Sequence, residues 1–104
     1  MDTKTLLAEA KARFNHNSAK AYLAEKYSAK LIVAEQGGLW KADQSTISFL
    51  SNMSNDYDDR VVMIDTFQNP ILVERGALLT TLKEVYRSVM AEWYTEWKEL
   101  ENKR

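Results

Sequence analysis

The chain has 104 residues, which predicts one domain, and 45% of them are hydrophobic, enough for a small core. Its formal net charge of −1 argues against a general nucleic-acid binder. It has no cysteine, which excludes disulfides, thiolate metal sites and cysteine nucleophiles.

The N-terminal segment is predicted to be helical, because its apolar residues recur at steps of three and four. A first helix runs from Thr3 to about Asn15. Residues 15–18 are polar, and a second helix runs from there to about Tyr27. The pattern leaves open whether these are two helices or one kinked helix. The apolar positions are Leu6, Leu7, Ala10 and Phe14 in the first helix, and Ala19, Tyr22, Leu23 and Tyr27 in the second.

The middle of the chain predicts a β-hairpin followed by a short helix. Leu31–Ala34 is a β-branched run, Gln36–Gly38 turns the chain, and Leu39–Ala42 returns. Two glycines adopt positive φ without steric cost, which favours a hairpin turn over a phosphate-binding loop. Asp43 is then a suitable N-cap for a helix over Gln44–Met53.

A second hairpin is predicted after a polar loop from Ser51 to Asp59. Arg60–Asp65 is its first strand and Ile71–Glu74 its second, with Pro70 at a strand start, where a missing N–H is tolerated. The two hairpins could pair into one four-stranded antiparallel sheet, with helices covering one face. The predicted fold class is α+β, with residues 1–104 in a single domain.

Residues 75–104 are predicted to form one long amphipathic helix. Such a helix is about 45 Å long, whereas a compact domain of this size has a radius of gyration of about 13 Å. We therefore expect the helix to project and to carry its apolar stripe to a partner, either a second copy or another protein. The residues predicted to bind that partner are Leu79, Leu82, Tyr86, Val89, Met90, Trp93, Tyr94, Trp97 and Leu100.

A second hypothesis concerns the basic residues of the second helix. Lysines interleaved with aromatic side chains can hold single-stranded nucleic acid by charge and stacking. Glu25 lies among these lysines, and tyrosines on a helix face usually pack, so the structural interpretation is favoured. The residues of this alternative nucleic-acid site are Lys20, Tyr22, Lys26, Tyr27 and Lys30.

No set of residues predicts a catalytic site, a metal site or a cofactor. His16 is the only histidine, and no second imidazole or thiol can share a metal with it. A cluster of aspartates around the third strand lacks the spacing and the glycine of a calcium loop, which favours a solvated loop. The cluster comprises Asp56, Asp58, Asp59 and Asp65. We expect no enzyme; an enzyme with a cleft between sheet and helices is the third hypothesis, without specific residues.

The segment Ile64–Val73, IDTFQNPILV, is followed by the long amphipathic helix. This part of the chain resembles small proteins of tailed bacteriophages, in which a hairpin with an Asn-Pro turn leads into a charged, helical C-terminus. Phe67–Gln68 stands where such turns often carry a glycine. The resemblance implies a virion or assembly component, or a small protein acting on a host factor, located in the virion or the host cytoplasm.

The N-terminal sequence has neither the basic start nor the apolar core of a signal peptide, and no apolar run reaches the length of a membrane span. Without the phage resemblance we therefore expect a cytoplasmic location. The favoured function is that of a non-enzymatic interaction, assembly or accessory protein, part of a homo-oligomer or a larger assembly, acting through its C-terminal helix.

Overall fold

The computed structural model describes residues 3–53 and 59–103. The predicted α+β fold is confirmed, because helices and antiparallel hairpins alternate along the chain. The elements are α1 (Thr3–Lys30), β1 (Ile32–Glu35), β2 (Gly38–Lys41), α2 (Gln44–Asn52), β3 (Arg60–Ile64), β4 (Pro70–Glu74) and α3 (Arg75–Asn102).

The N-terminal segment is one continuous helix of 28 residues, not two. Residues 15–18 contain no glycine or proline, so nothing in them prevents helical geometry. Within this polar stretch His16 is half-buried, and its Nε2 lies 3.2 Å from Oε1 of Glu101 near the end of α3. The polar residues therefore interrupt the apolar stripe of α1 without ending the helix.

The hairpins form two separate two-stranded sheets, β1–β2 and β3–β4, instead of one four-stranded sheet. They meet where β2 passes the turn of the second hairpin. The amide of Thr66 donates to the carbonyl of Leu39 at 2.9 Å, and the amide of Leu39 donates to Oδ2 of Asp65 at 3.2 Å. The side chain of Asp65 thus occupies a position that a neighbouring strand would take in a continuous sheet.

Both hairpin turns use left-handed backbone conformations. In the first, Gln36 and Gly37 have φ of 50° and 80°, the signs that a two-residue type I′ turn requires. In the second, Gln68 has φ of 67° without being a glycine. The carboxylate of Asp65 stabilises that turn, because its Oδ1 accepts from the amides of Phe67 and Asn69, each at 3.0 Å.

The core lies where α1, α2 and α3 meet the inner faces of the hairpins. Arg75 is buried at the start of α3; its Nη1 donates to the carbonyl of Leu50 at 2.8 Å and its Nε to Asp59 at 3.1 Å. The guanidinium thus connects α3 to the C-terminal part of α2 and to the residue before β3. The buried apolar residues are Leu23, Tyr27, Leu31, Trp40, Ala42, Leu50, Met63, Val73, Leu78, Leu82 and Val89.

The molecule is elongated, measuring 69 × 25 × 20 Å, with a radius of gyration of 19.6 Å. A compact chain of this length would have a radius of about 13 Å. The overhang expected of the C-terminal helix is found instead in α1. Helix α3 packs antiparallel to α1 as far as His16, and residues 3–15, all exposed, extend beyond it. We call residues 3–15 the projecting half of α1.

Candidate functional site

The two long helices, α1 and α3, contact each other through aromatic side chains, and we call this contact region the seam. The rings of Tyr27 and Trp93 stack with centroids 5.9 Å apart and planes 11° from parallel. Tyr27 is almost completely buried and its hydroxyl donates to Oε1 of Glu96. Lys26 and Lys30 place their ammonium groups 5.1 and 4.9 Å from the centre of the Tyr27 ring.

Ion pairs follow the same seam at successive turns. Lys30 pairs with Glu92 at 3.3 Å, Lys26 with Glu96 at 2.9 Å, and Lys20 with Glu101 at 2.6 Å. Because the lysine numbers fall along this series while the glutamate numbers rise, the helices are antiparallel. Each lysine of the alternative nucleic-acid site therefore already has a carboxylate partner within the chain.

Hydrogen bonding within the seam shifts the acidity of its groups. Hydrogen bonds first from Lys26 and then from Tyr27 hold the pKa of Glu96 below its ordinary value. The same hydrogen bond to Glu96 raises the pKa of Lys26 and that of the Tyr27 phenol. Two of the residues of the alternative nucleic-acid site are tyrosines of α1. Tyr27 lies in the core, whereas Tyr22 is well exposed.

The stripe predicted to bind a partner is mostly used inside the chain. Leu82 and Val89 are buried, and Trp93 stacks on Tyr27. Tyr94 and Trp97 remain open, with 60% and 38% of their surfaces exposed. Half-buried residues of the stripe, which pack against the core from its margin, are Leu79, Tyr86, Met90 and Leu100.

A groove of about 770 Å³ separates α2 from α3. Tyr86 forms part of its floor, and the Tyr86 hydroxyl accepts a hydrogen bond from Nε2 of Gln44 at 2.8 Å. We call this the α2–α3 groove; it is lined by Gln44, Ile47, Ser48, Lys83, Tyr86, Arg87, Met90 and Ala91.

Tyr94 and Trp97 follow the groove residues on α3, beyond the part that α2 flanks. On a helix, Met90, Tyr94 and Trp97 lie at steps of four and three, so they share one flank. The rings of Tyr94 and Trp97 stack at 6.2 Å, and Nζ of Lys20 lies 5.9 Å from the Trp97 ring. From Lys83 to Trp97 the flank spans fourteen residue steps, about 21 Å at 1.5 Å per residue.

A second exposed apolar surface lies on the outer face of the β3–β4 hairpin. Val62 is paired with Leu72 across the strands, and both side chains are exposed. Ile64 shares this face, and Phe49 of α2 lies next to it across an open groove of about 450 Å³. We call Phe49, Val62, Ile64 and Leu72 the hairpin patch. The sequence predicted Phe49 in the short helix and the other three residues in the second hairpin, but not that all four are exposed.

The projecting half of α1 provides a third exposed surface. Phe14 is 71% exposed, and Leu6 and Leu7 are also more than half exposed. These side chains are the apolar face predicted from the sequence, but no other element of the described residues covers them. The projecting half is therefore helical without a packed face, which leaves its helicity to intrinsic propensity and to continuity with the rest of α1.

The described polar residues that the sequence analysis considered as metal ligands make hydrogen bonds within the fold. Asp59 accepts from Arg75 and, at 2.8 Å, from the amide of Gly76; Asp65 holds a turn; His16 lies beside Glu101. Asp56 and Asp58 lie outside the described residues. Within residues 3–53 and 59–103, no three His, Asp or Glu side chains are grouped closely enough to hold a metal ion.

Comparisons of the chain with protein-family models, curated proteins and solved structures find no match. Over the part of the chain that the structure describes, neither long helix has an apolar stretch sufficient to cross a membrane.

Proposed function

We propose that this chain is a non-enzymatic protein-interaction module that binds a partner protein along the α2–α3 groove and its extension over Tyr94 and Trp97. The observation that best supports this proposal is that the rings of Tyr94 and Trp97 are exposed at the end of an apolar groove. Aromatic residues at such positions dominate binding energy when a partner covers them. The C-terminal helix α3 is thus the binding element, as the sequence predicts, but only its flank from Lys83 to Trp97 contacts the partner.

The exposed area of the whole chain supports a role in association. A compact protein of 12.0 kDa exposes about 6,000 Å², whereas this chain exposes 7502 Å². The surplus, about 1,500 Å², exceeds the roughly 800 Å² that each partner buries in an interface of standard size. Three of the surfaces contributing to it carry exposed apolar side chains: the groove extension, the hairpin patch and the projecting half of α1.

The resemblance to small phage proteins, if it reflects common origin, makes the partner a virion component or a host factor. Assembly and accessory proteins of this kind act by contact, which agrees with the exposure of Tyr94 and Trp97. The nucleic-acid hypothesis receives less support, because Lys20, Lys26 and Lys30 each pair with a glutamate of α3.

Photo-crosslinking in the native source tests the proposed function. The photoreactive amino acid p-benzoylphenylalanine replaces Tyr94 in one variant and Glu99 in a control, which lies about 140° around the same helix. We expect a protein adduct at position 94 that is absent or much weaker at position 99. Equal labelling at the two positions, or none at 94, would contradict the proposal.

A further inference from the structure

The charges around the α2–α3 groove carry information about what binds there. Lys83 and Arg87 both line it, one turn apart on α3, and among the described residues no aspartate or glutamate does. Within the described part of the chain neither cation makes an ion pair, in contrast to the lysines of α1 that face α3. The groove therefore combines an apolar floor with two uncompensated positive charges.

The shape of the groove indicates which kind of partner segment can bind in it. A helix is about 10 Å across, so a third helix can lie along α3 in the groove beside α2. The floor for it on α3, from Lys83 to Trp97, is about 21 Å long, the length of a helix of about four turns. Helix α2 flanks only the part of this floor from Lys83 to Ala91. An amphipathic helix places apolar residues at steps of three and four along such a floor, which is the helix-in-groove mode of recognition.

We propose that the partner segment is an acidic amphipathic helix, with its apolar stripe on Met90, Tyr94 and Trp97 and its carboxylates toward Lys83 and Arg87. This inference rests on the proposed function and adds the chemistry of the partner. Carboxylates suit Arg87 because a guanidinium binds them through two parallel hydrogen bonds. Complementary charge of this kind directs the partner's orientation and accelerates association.

A second copy of this chain fits the groove poorly. The exposed helical segment that a copy could offer is its projecting half of α1, which carries Lys4, Lys11 and Arg13 against a single acid, Glu9. Its basic residues would face Lys83 and Arg87, and like charges brought together reduce affinity. The charge pattern therefore favours a heterologous protein as the occupant.

Two synthetic peptides test this inference on the full chain. Both are four-turn helices with leucines at steps of three and four; one has glutamates and the other has lysines flanking the stripe. Tryptophan fluorescence follows their titration into the protein at low salt. We expect the acidic peptide to bind at least about tenfold more tightly than its basic counterpart, with an affinity that falls as salt increases.

Charge reversal locates the effect. The double variant Lys83→Glu/Arg87→Glu is expected to weaken binding of the acidic peptide by about tenfold or more. The control Lys4→Glu/Arg13→Glu changes the net charge equally at exposed positions of the projecting half of α1, and should leave the affinity within about twofold. Circular dichroism verifies that both variants are folded.

Three outcomes would overturn the inference: equal affinity for the two peptides, no binding of the acidic one, or equal effects of the two double variants. The crosslinking experiment keeps this result separate from the proposed function. An adduct at position 94 together with any of these three outcomes would retain the interaction module and reject the acidic helix. Absence of the adduct would reject both.

Discussion

Tyr27 and Trp93 stack face to face across the two long helices, with ring centroids 5.9 Å apart. Tyr27 comes from the helix that begins the chain and Trp93 from the helix that ends it. Their contact places the hydroxyl of Tyr27 against Glu96 and leaves the neighbouring ring of Tyr94 pointing to solvent. One indole of the closing helix therefore belongs to the core while a tyrosine beside it does not.

Trp93→Ala should be strongly destabilising. The substitution removes a half-buried indole and its stacking partner for Tyr27, so we expect unfolding free energy to fall by about 2–4 kcal/mol. Tyr94→Ala, one residue on and 60% exposed, should cost less than about 1 kcal/mol. Urea unfolding of the two variants measures the difference, and equal losses would show that the stack contributes little.

Acid should destabilise the protein partly through Glu96. Hydrogen bonds from Lys26 and Tyr27 lower the pKa of Glu96 from 4.5 in the folded chain. A carboxyl whose folded pKa is depressed contributes stability above its unfolded pKa and loses it as the pH falls through the folded value. We therefore expect stability to decline as the pH drops below about 4.5.

The variant Glu96→Gln identifies the contribution of this carboxyl. It should be less stable than the parent at pH 7, and the gap between the two should narrow toward pH 3. Glu99→Gln, which removes an exposed carboxylate from the same helix, should keep the parent's acid dependence. Thermal unfolding followed across this pH range gives the comparison; a constant gap for Glu96→Gln would refute the assignment.

Asp65→Ala should loosen the junction of the two hairpins. The carboxylate of Asp65 accepts from three backbone amides, those of Leu39, Phe67 and Asn69, and the residue is buried. Unmet donors are costly to bury, so we expect the thermal midpoint to fall by roughly 10 °C. Asp65→Asn, which keeps one acceptor oxygen, should lie between the variant and the parent; indistinguishable midpoints for all three would contradict this role.

Gln68→Gly should stabilise the second turn. Gln68 has φ of 67°, a conformation that glycine adopts without steric cost. We expect a gain of about 0.5–1 kcal/mol after the extra chain entropy of glycine is included. Gln36 has φ of 50° but its side-chain amide bonds both backbone groups of Glu74, so Gln36→Gly should bring no gain. A stabilisation of equal size at both positions would show that those bonds are unimportant.

Local pattern predicted most elements of this fold, but it left open whether α1 is one helix or two. The start of α3 at Arg75 and the cap at Asp43 follow from residue preferences over a few positions, and the Asp43 carboxylate does accept from the amide of Thr46 at 2.9 Å. The first hairpin turn also lies where it was predicted, but its positive φ angles belong to Gln36 and Gly37 and not to the two glycines. Asp65 was visible in the sequence only as one member of an acidic cluster. Its three amide donors come from two hairpins, which no local pattern relates.

The candidate site depended on long-range pairing that periodicity cannot supply. The apolar residues of α3 form one stripe in the sequence pattern. Which of them lie in the core and which line the groove depends on where α1 and α2 pack. Lys26 and Glu96 are 70 residues apart in the chain, so the sequence could not predict that glutamates of α3 pair with the lysines of α1. The exposure of Val62 and Leu72 likewise follows from the separation of the hairpins into two sheets.

The projecting half of α1 also has a practical consequence for anyone handling the protein. Its amides have helical bonds but no tertiary cover, so they should exchange with deuterium far sooner than those of residues 20–30. Trypsin should cut at Lys4, Lys11 or Arg13 before it cuts elsewhere in the two long helices. The shortened polypeptide that remains would keep the stacked rings and all three lysine–glutamate pairs, and would offer crystallographers a body of about three-quarters the original length along its longest axis.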